Sequence, residues 1–228
     1  ARPYERPGKE GDIARSKKLP SKAAIDAIPQ IFHLCSSHPE DEVAQVTTAF
    51  CAILMATPDR ARELLSQRID LEVSNFSEAN SGYGLRWYPK KGGKPLIKPV
   101  PTPMVEVTQE AIRRIKEISK QARLLSDWYE KHPSELYFHP DVVHLKGKDI
   151  LSAREIGDLL WGKSCSDATP RAWANAMGLK ALPKKRIAEK SYYRFEDVEK
   201  AVISMLPPGF PYFDGKTRYS DLLFLTVG

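Results

Sequence analysis

Thr57-Pro58-Asp59-Arg60-Ala61-Arg62-Glu63-Leu64-Leu65 and, just after it, Ile69-Asp70-Leu71-Glu72-Val73 mark the point where the chain turns from helix to strand. Thr57 can cap a helix and Pro58 suits its first position, so the spacing predicts a helix that begins there and carries Leu64 and Leu65. Ile69, Leu71 and Val73 alternate with Asp70 and Glu72, the period-two pattern of a half-buried strand. Working upstream, Ser21 is an N-cap before Ala23, Ala24, Ile25 and Ile28. A second helix follows Pro39, with Glu40, Asp41 and Glu42 in its first turn, where the helix dipole favours acids. Its apolar residues Val43, Val46, Phe50, Ile53 and Leu54 recur at helical spacing and predict the buried face.

Working downstream, Tyr83 to Tyr88 is rich in aromatic residues and reads as a strand. Lys91-Gly92-Gly93-Lys94 reads as a turn, and Ile97 to Val100 as a returning strand that Pro99 and Pro101 confine to an edge. A long amphipathic helix capped near Thr108 is predicted next, with Ile112, Ile115, Ile118, Ala122, Leu125 and Trp128 as its buried stripe. His132 to Lys148 has no clear period and reads as a loop. At Ile150 the pattern starts afresh. Ser152-Ala153-Arg154-Glu155 is a capping box ahead of Ile156, Leu159 and Leu160. Thr169-Pro170 opens a second short helix through Trp173 and Met177, closed by Gly178. Tyr192 to Phe195 reads as a strand, and Glu196 to Met205 as a helix ended by Pro207-Pro208-Gly209.

The 228 residues can hold one large domain or two small ones, and an apolar fraction of 42% is enough to give each a core. No apolar run reaches the roughly 18 residues that a membrane-spanning helix needs. Ala1 to Lys18 is polar and basic, unlike a signal peptide. Cys35, Cys51 and Cys165 form no C-x-x-C pair, so neither a disulfide framework nor a zinc knuckle is expected. Cys51 reads as a buried small hydrophobe, and a reducing, cytoplasmic setting is the default. The chain lacks an initiator Met and stops in the apolar run Leu222 to Val227, so a fragment of a longer protein is expected.

The formal charge of +6 is modest, and its distribution says more. From Asn80 to Val105 there are Arg86, Lys90, Lys91, Lys94 and Lys98 and no acid. From Lys180 to Lys190 there are Lys180, Lys184, Lys185, Arg186 and Lys190 against Glu189 alone. Cations clustered in this way suit a polyanion, because each phosphate contact releases condensed counterions.

Thr57 to Leu65 resembles the first-arginine motif of tyrosine recombinases and phage integrases: a turn, then Arg, two residues, Glu and a Leu pair. Arg60 matches the catalytic arginine and Glu63 the supporting acid one helical turn later, although Pro58-Asp59 replaces the usual Gly. Ile69 to Val73 matches the strand that follows. Trp87-Tyr88-Pro89-Lys90-Lys91-Gly92-Gly93-Lys94 resembles the family's hairpin with its catalytic lysine. Lys91, directly before the Gly pair, matches best, while Lys90 and Lys94 compete for the role. The resemblance covers roughly Lys18 to Glu130, and the order and spacing of the motifs make it more specific than either alone.

The chemistry that this resemblance implies is coherent. A guanidinium at Arg60 would clamp the nonbridging oxygens of a phosphodiester as charge builds on them. A helix N-terminus there would add donors for the same phosphate. Lys91 would protonate the leaving sugar oxygen, and a tyrosine would attack the phosphate to form a phosphotyrosine intermediate. Arg62 is an alternative to Arg60. The plainer readings are that Arg60 and Arg62 are exposed partners of Glu63 or Asp59, and that Lys91 is a solvated turn lysine.

The family also requires H-x-x-R and a nucleophilic Tyr near the carboxyl end. His33, His38, His132, His139 and His144 are followed three residues on by Ser36, Asp41, Glu135, Val142 and Gly147, so none supplies the motif. Tyr212 and Tyr219 have no upstream motif to support either as nucleophile. The chain by itself is therefore not expected to cleave DNA.

Leu151 to Leu206 resembles a second type, the winged helix of MerR proteins and excisionases. Ala153-Arg154-Glu155-Ile156 to Leu160 matches its first helix, and Thr169-Pro170-Arg171-Ala172-Trp173 its second. Gly178-Leu179, the basic wing Pro183-Lys184-Lys185-Arg186 and Tyr193-Arg194-Phe195-Glu196-Asp197-Val198 complete the pattern. The connection Gly162 to Ala168 is longer than the usual tight turn. The resemblance implies that the second helix enters a major groove. Arg171 and Asn175, four apart on one face, would then read base edges. Lys184, Lys185 and Arg186 would hold phosphates without sequence preference. The plainer alternative is a small structural or protein-binding insert.

Together these readings predict an α+β architecture, mostly helical with a small antiparallel sheet, plus a winged helix-turn-helix module. The expected divisions are a linker or arm over 1–17, the first part of an integrase-like catalytic domain over 18–148, the winged module over 149–207, and a return segment over 208–228. The expected function is the DNA-binding part of an integrase-like site-specific recombinase. The alternatives are a noncatalytic DNA-binding or regulatory protein of a mobile element, or an RNA-binding or protein-interaction domain. The expected partners are double-stranded DNA and other recombinase protomers assembled on it, with no metal, small-molecule cofactor or membrane.

Overall fold

The computed structural model describes Ile13, Ser16 and residues 21–75, 82–89, 94–162, 168–182 and 191–226. Over these residues the chain is mixed α and β, mostly helical, with a small antiparallel sheet and a separate strand pair. It divides into two compact units, one running up to Lys120 and taking in Leu222–Thr226, the other spanning Gln121–Asp221. No described helix is long and apolar enough to cross a membrane.

In the first unit, helix α1 (Lys22–Cys35) starts where Ser21 accepts a hydrogen bond from the Ala24 N–H at 3.2 Å. Helix α2 (Glu42–Ala56) starts at Asp41, whose carboxylate accepts the Ala44 N–H at 2.9 Å. Both caps satisfy amides that the first turn leaves without intrahelical partners. The apolar residues of α2 at helical spacing meet the core only in part: Ile53 is buried in it and Phe50 and Leu54 pack against it. Gln45, Thr48, Ala49, Ala52, Ile53 and Ala56 are buried, while Val43 is 78% exposed. Cys51 is likewise only half-buried. The small side chains of α2 pack along helix α4 (Val105–Ile118), which contributes Ala111, Ile112 and Ile115 to the same core.

A buried arginine explains the polar part of that face. Arg114 of α4, 7% exposed, donates to the Phe32 carbonyl at 3.1 Å, to Gln45 Oε1 at 3.2 Å and to the Ser36 hydroxyl. Its Nε donates to Glu110 at 2.8 Å, and its guanidinium lies 3.9 Å from the Phe32 ring centroid. The Gln45 amide in turn donates to the Cys35 carbonyl and, at 3.3 Å, to that of His38. A buried polar group is tolerated when its hydrogen bonds are made. Here those bonds tie α1, α2 and α4 together.

The helix predicted from Thr57 is shorter and later. Thr57 instead closes α2: its N–H and its hydroxyl both donate to the Ile53 carbonyl, at 2.9 and 3.1 Å. Helix α3 spans only Ala61–Leu64, with Arg60 at its N-cap position. The sheet follows as β1 (Glu72–Ser74), β2 (Tyr83–Trp87) and β3 (Leu96–Pro99), antiparallel in the order β1-β2-β3. Leu85 pairs with Glu72 on one side and Lys98 on the other. Leu85 and Trp87 are buried, and with Leu64, Leu71 and Leu223 they join the core formed by α2 and α4.

The long helix predicted after Pro101 is two helices. α4 begins at Val105, and Thr108 is inside it, donating to the Met104 carbonyl at 2.7 Å rather than capping. Ser119 ends α4, its buried hydroxyl within reach of the carbonyls of Ile115 and Leu223. Helix α5 (Lys120–Lys131) follows.

In the second unit, the segment after α5 is more ordered than a loop. Residues Pro140–Leu145 form a 3₁₀ turn that buries Val142 and Leu145. A short strand β4 (Ile150–Ser152) then pairs antiparallel with β5 (Tyr192–Arg194), Leu151 opposite Tyr193. Between them lie α6 (Ala153–Trp161) and α7 (Ala168–Ala176), and α8 (Phe195–Ser204) follows β5. The capping box is complete: Ser152 Oγ accepts the Glu155 N–H at 3.3 Å and the Glu155 carboxylate accepts the Ser152 N–H at 2.7 Å. Gly178, with φ of 71°, adopts after α7 the left-handed conformation that favours glycine. Leu151, Ile156, Ala174, Tyr193 and Val198 form the core.

Candidate nucleic-acid interface

Asp59 joins the start of α3 to the β2–β3 hairpin. Its Oδ1 accepts the Arg60 backbone N–H at 2.8 Å, and its Oδ2 takes the Lys98 ammonium from β3. The same ammonium lies 4.3 Å from the Trp87 ring centroid, within cation–π range. Burial works to raise the Asp59 carboxyl, but hydrogen bonds from Lys98 and the Arg60 N–H outweigh it and hold the group below its ordinary value.

Gln67 makes a second link. It is fully buried, and its side chain pairs with the Tyr88 backbone in both directions, accepting the N–H at 3.0 Å and donating to the carbonyl at 3.4 Å. It also donates to the Glu63 carbonyl at 2.7 Å, while its own carbonyl accepts the Leu223 N–H at 2.9 Å. Tyr88 is where the hairpin leaves β2, so α3, the hairpin and the returning carboxyl segment meet at one residue, Gln67, the first two at its side-chain amide and the third at its main-chain carbonyl. Beside it, Arg68 and Arg86 share Asp70, at 3.3 and 3.8 Å, and the Arg68 guanidinium lies 5.3 Å from the Tyr88 ring centroid.

The Arg60 side chain is 73% exposed and meets Glu63 at 3.6 Å. An exposed pair of this kind is worth about 0–1 kcal/mol, little enough for a phosphate to displace. The four residues of α3 build almost no helix dipole, and the Arg60 N–H already serves Asp59, so the expected contribution of a helix N-terminus does not arise here. Arg62 and Lys94 are exposed. Lys90 and Lys91, with the glycine pair, lie outside the described residues.

In the second unit, Arg171 is half-buried on α7 and Asn175 is exposed one turn later. Ala174, between them in sequence, is fully buried, so α7 has a distinct inner face. Trp173 packs edge-on against Trp161, with centroids 6.2 Å apart, and its indole N–H donates to Met205 Sδ at 3.4 Å. Lys184, Lys185, Arg186 and Cys165 lie outside the described residues.

Three residues of the first unit escaped the sequence reading. Lys98 was visible only as one member of an acid-free basic run. Asp59 was expected only as a partner of Arg60 or Arg62, and Gln67 carried no signal. Among the described residues no group of three or more His, Cys, Asp or Glu could hold a metal ion. Comparison with family models, curated proteins and solved structures finds no match to the chain.

Proposed function

We propose that the chain is the DNA-binding part of an integrase-like site-specific recombinase, with an inserted winged helix-turn-helix module. The observation that carries the reading is the double link of Asp59 to Lys98 and Gln67 to Tyr88. It holds the exposed Arg60 and the base of a basic hairpin on one compact unit, as phosphate recognition by a guanidinium and an ammonium requires. Arg60, with Glu63 in support, and Lys91 are the groups assigned to the scissile phosphate. Lys90 and Lys94 are assigned to the flanking backbone. For the module, support comes from β4 pairing with β5, which draws the ends of the α6–α7 segment together and leaves Asn175 on the outer side of α7. There Arg171 and Asn175 would meet bases, and Lys184, Lys185 and Arg186 phosphates.

A second reading, a noncatalytic DNA-binding or regulatory protein of a mobile element, needs no Arg three residues after a His, and none of the five histidines has one. Both readings predict duplex-DNA binding that weakens steeply with salt, measured by fluorescence anisotropy of a labelled duplex. Replacing Lys184, Lys185 and Arg186 together with Ala should flatten the slope of log K against log salt by roughly two to three. Arg60→Ala should weaken binding at every duplex sequence alike. If neither change alters affinity or slope, the DNA reading fails. The recombinase reading further predicts that supplying H-x-x-R and tyrosine segments restores a covalent protein–DNA adduct, whereas the regulatory reading predicts none.

A further inference from the structure

The Asp70 carboxylate stands between two guanidiniums of the first unit, Arg68 just before it in the chain and Arg86 on β2. The contacts are 3.3 and 3.8 Å, both longer than the roughly 2.7–2.9 Å of a full charge-assisted hydrogen bond. The Tyr88 hydroxyl reaches the same carboxylate only at 3.5 Å. Asp70 is exposed and both arginines are half-exposed, so water competes for each pair. Two cations and a hydroxyl thus gather around one anion, and none of them closes on it.

The backbones that carry the two arginines are fixed. Arg68 follows the buried Gln67 directly and forms a β-bridge with Leu222. The Arg86 N–H donates to the Leu71 carbonyl at 2.6 Å, and Arg86 pairs with Ile97 across β2 and β3. The Arg68 guanidinium rests against the Tyr88 ring, 5.3 Å from its centroid, and Gln67 holds the Tyr88 backbone. A guanidinium placed on a ring keeps the N–H donors in its own plane for an anion. Fixed bases of this kind lower the ordering cost that a ligand meets. A phosphodiester has the same charge as a carboxylate on a larger tetrahedral group, and its two nonbridging oxygens can serve one guanidinium each.

We infer that Arg68 and Arg86 form a further phosphate-binding site for the backbone of duplex DNA, in which Asp70 is a built-in competitor that the phosphate displaces. The inference rests on the DNA reading above and adds to it two contacts that neither family resemblance names. The test is fluorescence anisotropy of a labelled duplex with the full chain over a series of salt concentrations. Arg68→Gln and Arg86→Gln should each weaken binding several-fold and flatten the slope of log K against log salt by about one. Asp70→Asn should act in the opposite direction and tighten binding roughly three-fold at low salt, since it removes a weakly held competitor. Asp26→Asn, at an exposed acid of α1, makes the same change in net charge elsewhere and should have a much smaller effect. With both arginines already changed to Gln, Asp70→Asn should have no effect, which separates competition from overall charge. The urea midpoint of each variant checks that the fold persists. Weaker binding by Asp70→Asn would mean that Asp70 positions the arginines rather than competing, and the inference fails. It fails too if both arginine variants keep the parental affinity and slope while Arg60→Ala weakens binding, an outcome that leaves the DNA reading standing without this site. A parent chain with no salt-dependent affinity for the duplex overturns both.

Discussion

In the first unit the Arg114 guanidinium binds Phe32 and Gln45, which lie 82 and 69 residues away in sequence. In the second, the Glu155 carboxylate turns back onto Ser152, three residues away. Each charged group also has an ionic partner nearby, Glu110 for Arg114 and Lys148 for Glu155, but its bonds to neutral groups run over long range in one unit and within a single helical turn in the other. A long-range buried contact orders several elements at once, and its loss strands polar atoms in the core. A local cap orders one turn, and its loss exposes amides that water can reach. The proposed DNA contacts inherit this difference. Arg60 and the hairpin depend on a half-buried link through Asp59 and a buried one through Gln67, whereas Asn175 stands on the exposed side of a helix whose inner face is packed.

The largest effect expected from this contrast is at Arg114. Arg114→Met fills much of the volume but leaves Gln45 Oε1 and the Ser36 hydroxyl without the guanidinium as donor, and the Phe32 carbonyl with only the Ser36 hydroxyl of its two side-chain donors. A loss of about 3 kcal/mol is expected, since removing one member of a buried charged network strands the rest. Urea denaturation measures the loss, and hydrogen exchange should quicken across α1, α2 and α4 together. A loss confined to α4 would break the contrast.

Gln67→Leu comes next. It keeps Gln67's backbone bond to Leu223 but removes the side-chain partner of the Tyr88 N–H. About 1–3 kcal/mol is expected for a buried group left unsatisfied. If the hairpin carries phosphate contacts, affinity for duplex DNA should fall at temperatures where the variant is still folded. Unchanged affinity would separate the buried link from binding.

The same contrast explains which elements could be read in advance. Ser21 and the Ser152 box were legible because each cap is made within three residues, whereas Asp41, expected in the first turn of α2, is its N-cap instead. Thr57 was misread because a threonine hydroxyl can bond forward as a cap or back to the carbonyl four residues earlier, and here it goes back. On α2, Phe50, Ile53 and Leu54 do meet the core, but Val43 does not and Gln45 does, although hydrophobicity ranks Val43 above Gln45. Gln45 is buried because Arg114 and the carbonyls that end α1 await it. The break at Ser119 depends on the Leu223 carbonyl, 104 residues away, which no local window contains. At three residues, β4 is too short to show a period. The basic character of the hairpin was legible as composition, but its anchoring by Lys98 and Gln67 was not, because both anchors are tertiary.

Ser152→Ala tests the local side of the contrast. About 1 kcal/mol is expected, the usual cost of losing an N-cap. Hydrogen exchange should quicken at the first amides of α6 and nowhere in the first unit. Spread into α2 or α4 would show that the effect of the cap is not local.

The smallest expected effect joins both kinds of contact on one carboxylate. Glu110 accepts two hydrogen bonds from Arg113, three residues on, at 2.7 and 2.8 Å, and one from the buried Arg114. The Arg113 bonds, helped by Arg114 against the opposing effect of burial, lower its pKa from 4.5 to about 2. A carboxylate lowered on folding contributes stability that is fully present above its unfolded value and is lost as pH falls toward its folded one. The contribution should therefore persist above about pH 4.5 and fade between there and pH 2. Glu110 is about one-third exposed, so screening limits the net effect to about 0.5 kcal/mol. The measurement is the difference in urea midpoint between the parent chain and Glu110→Gln at a series of pH values. That difference should shrink steadily below pH 4.5. Arg113→Ala should remove most of its pH dependence if the local pair dominates, and little if Arg114 does. A difference constant from neutral pH down to pH 2 would show that neither arginine holds the charge.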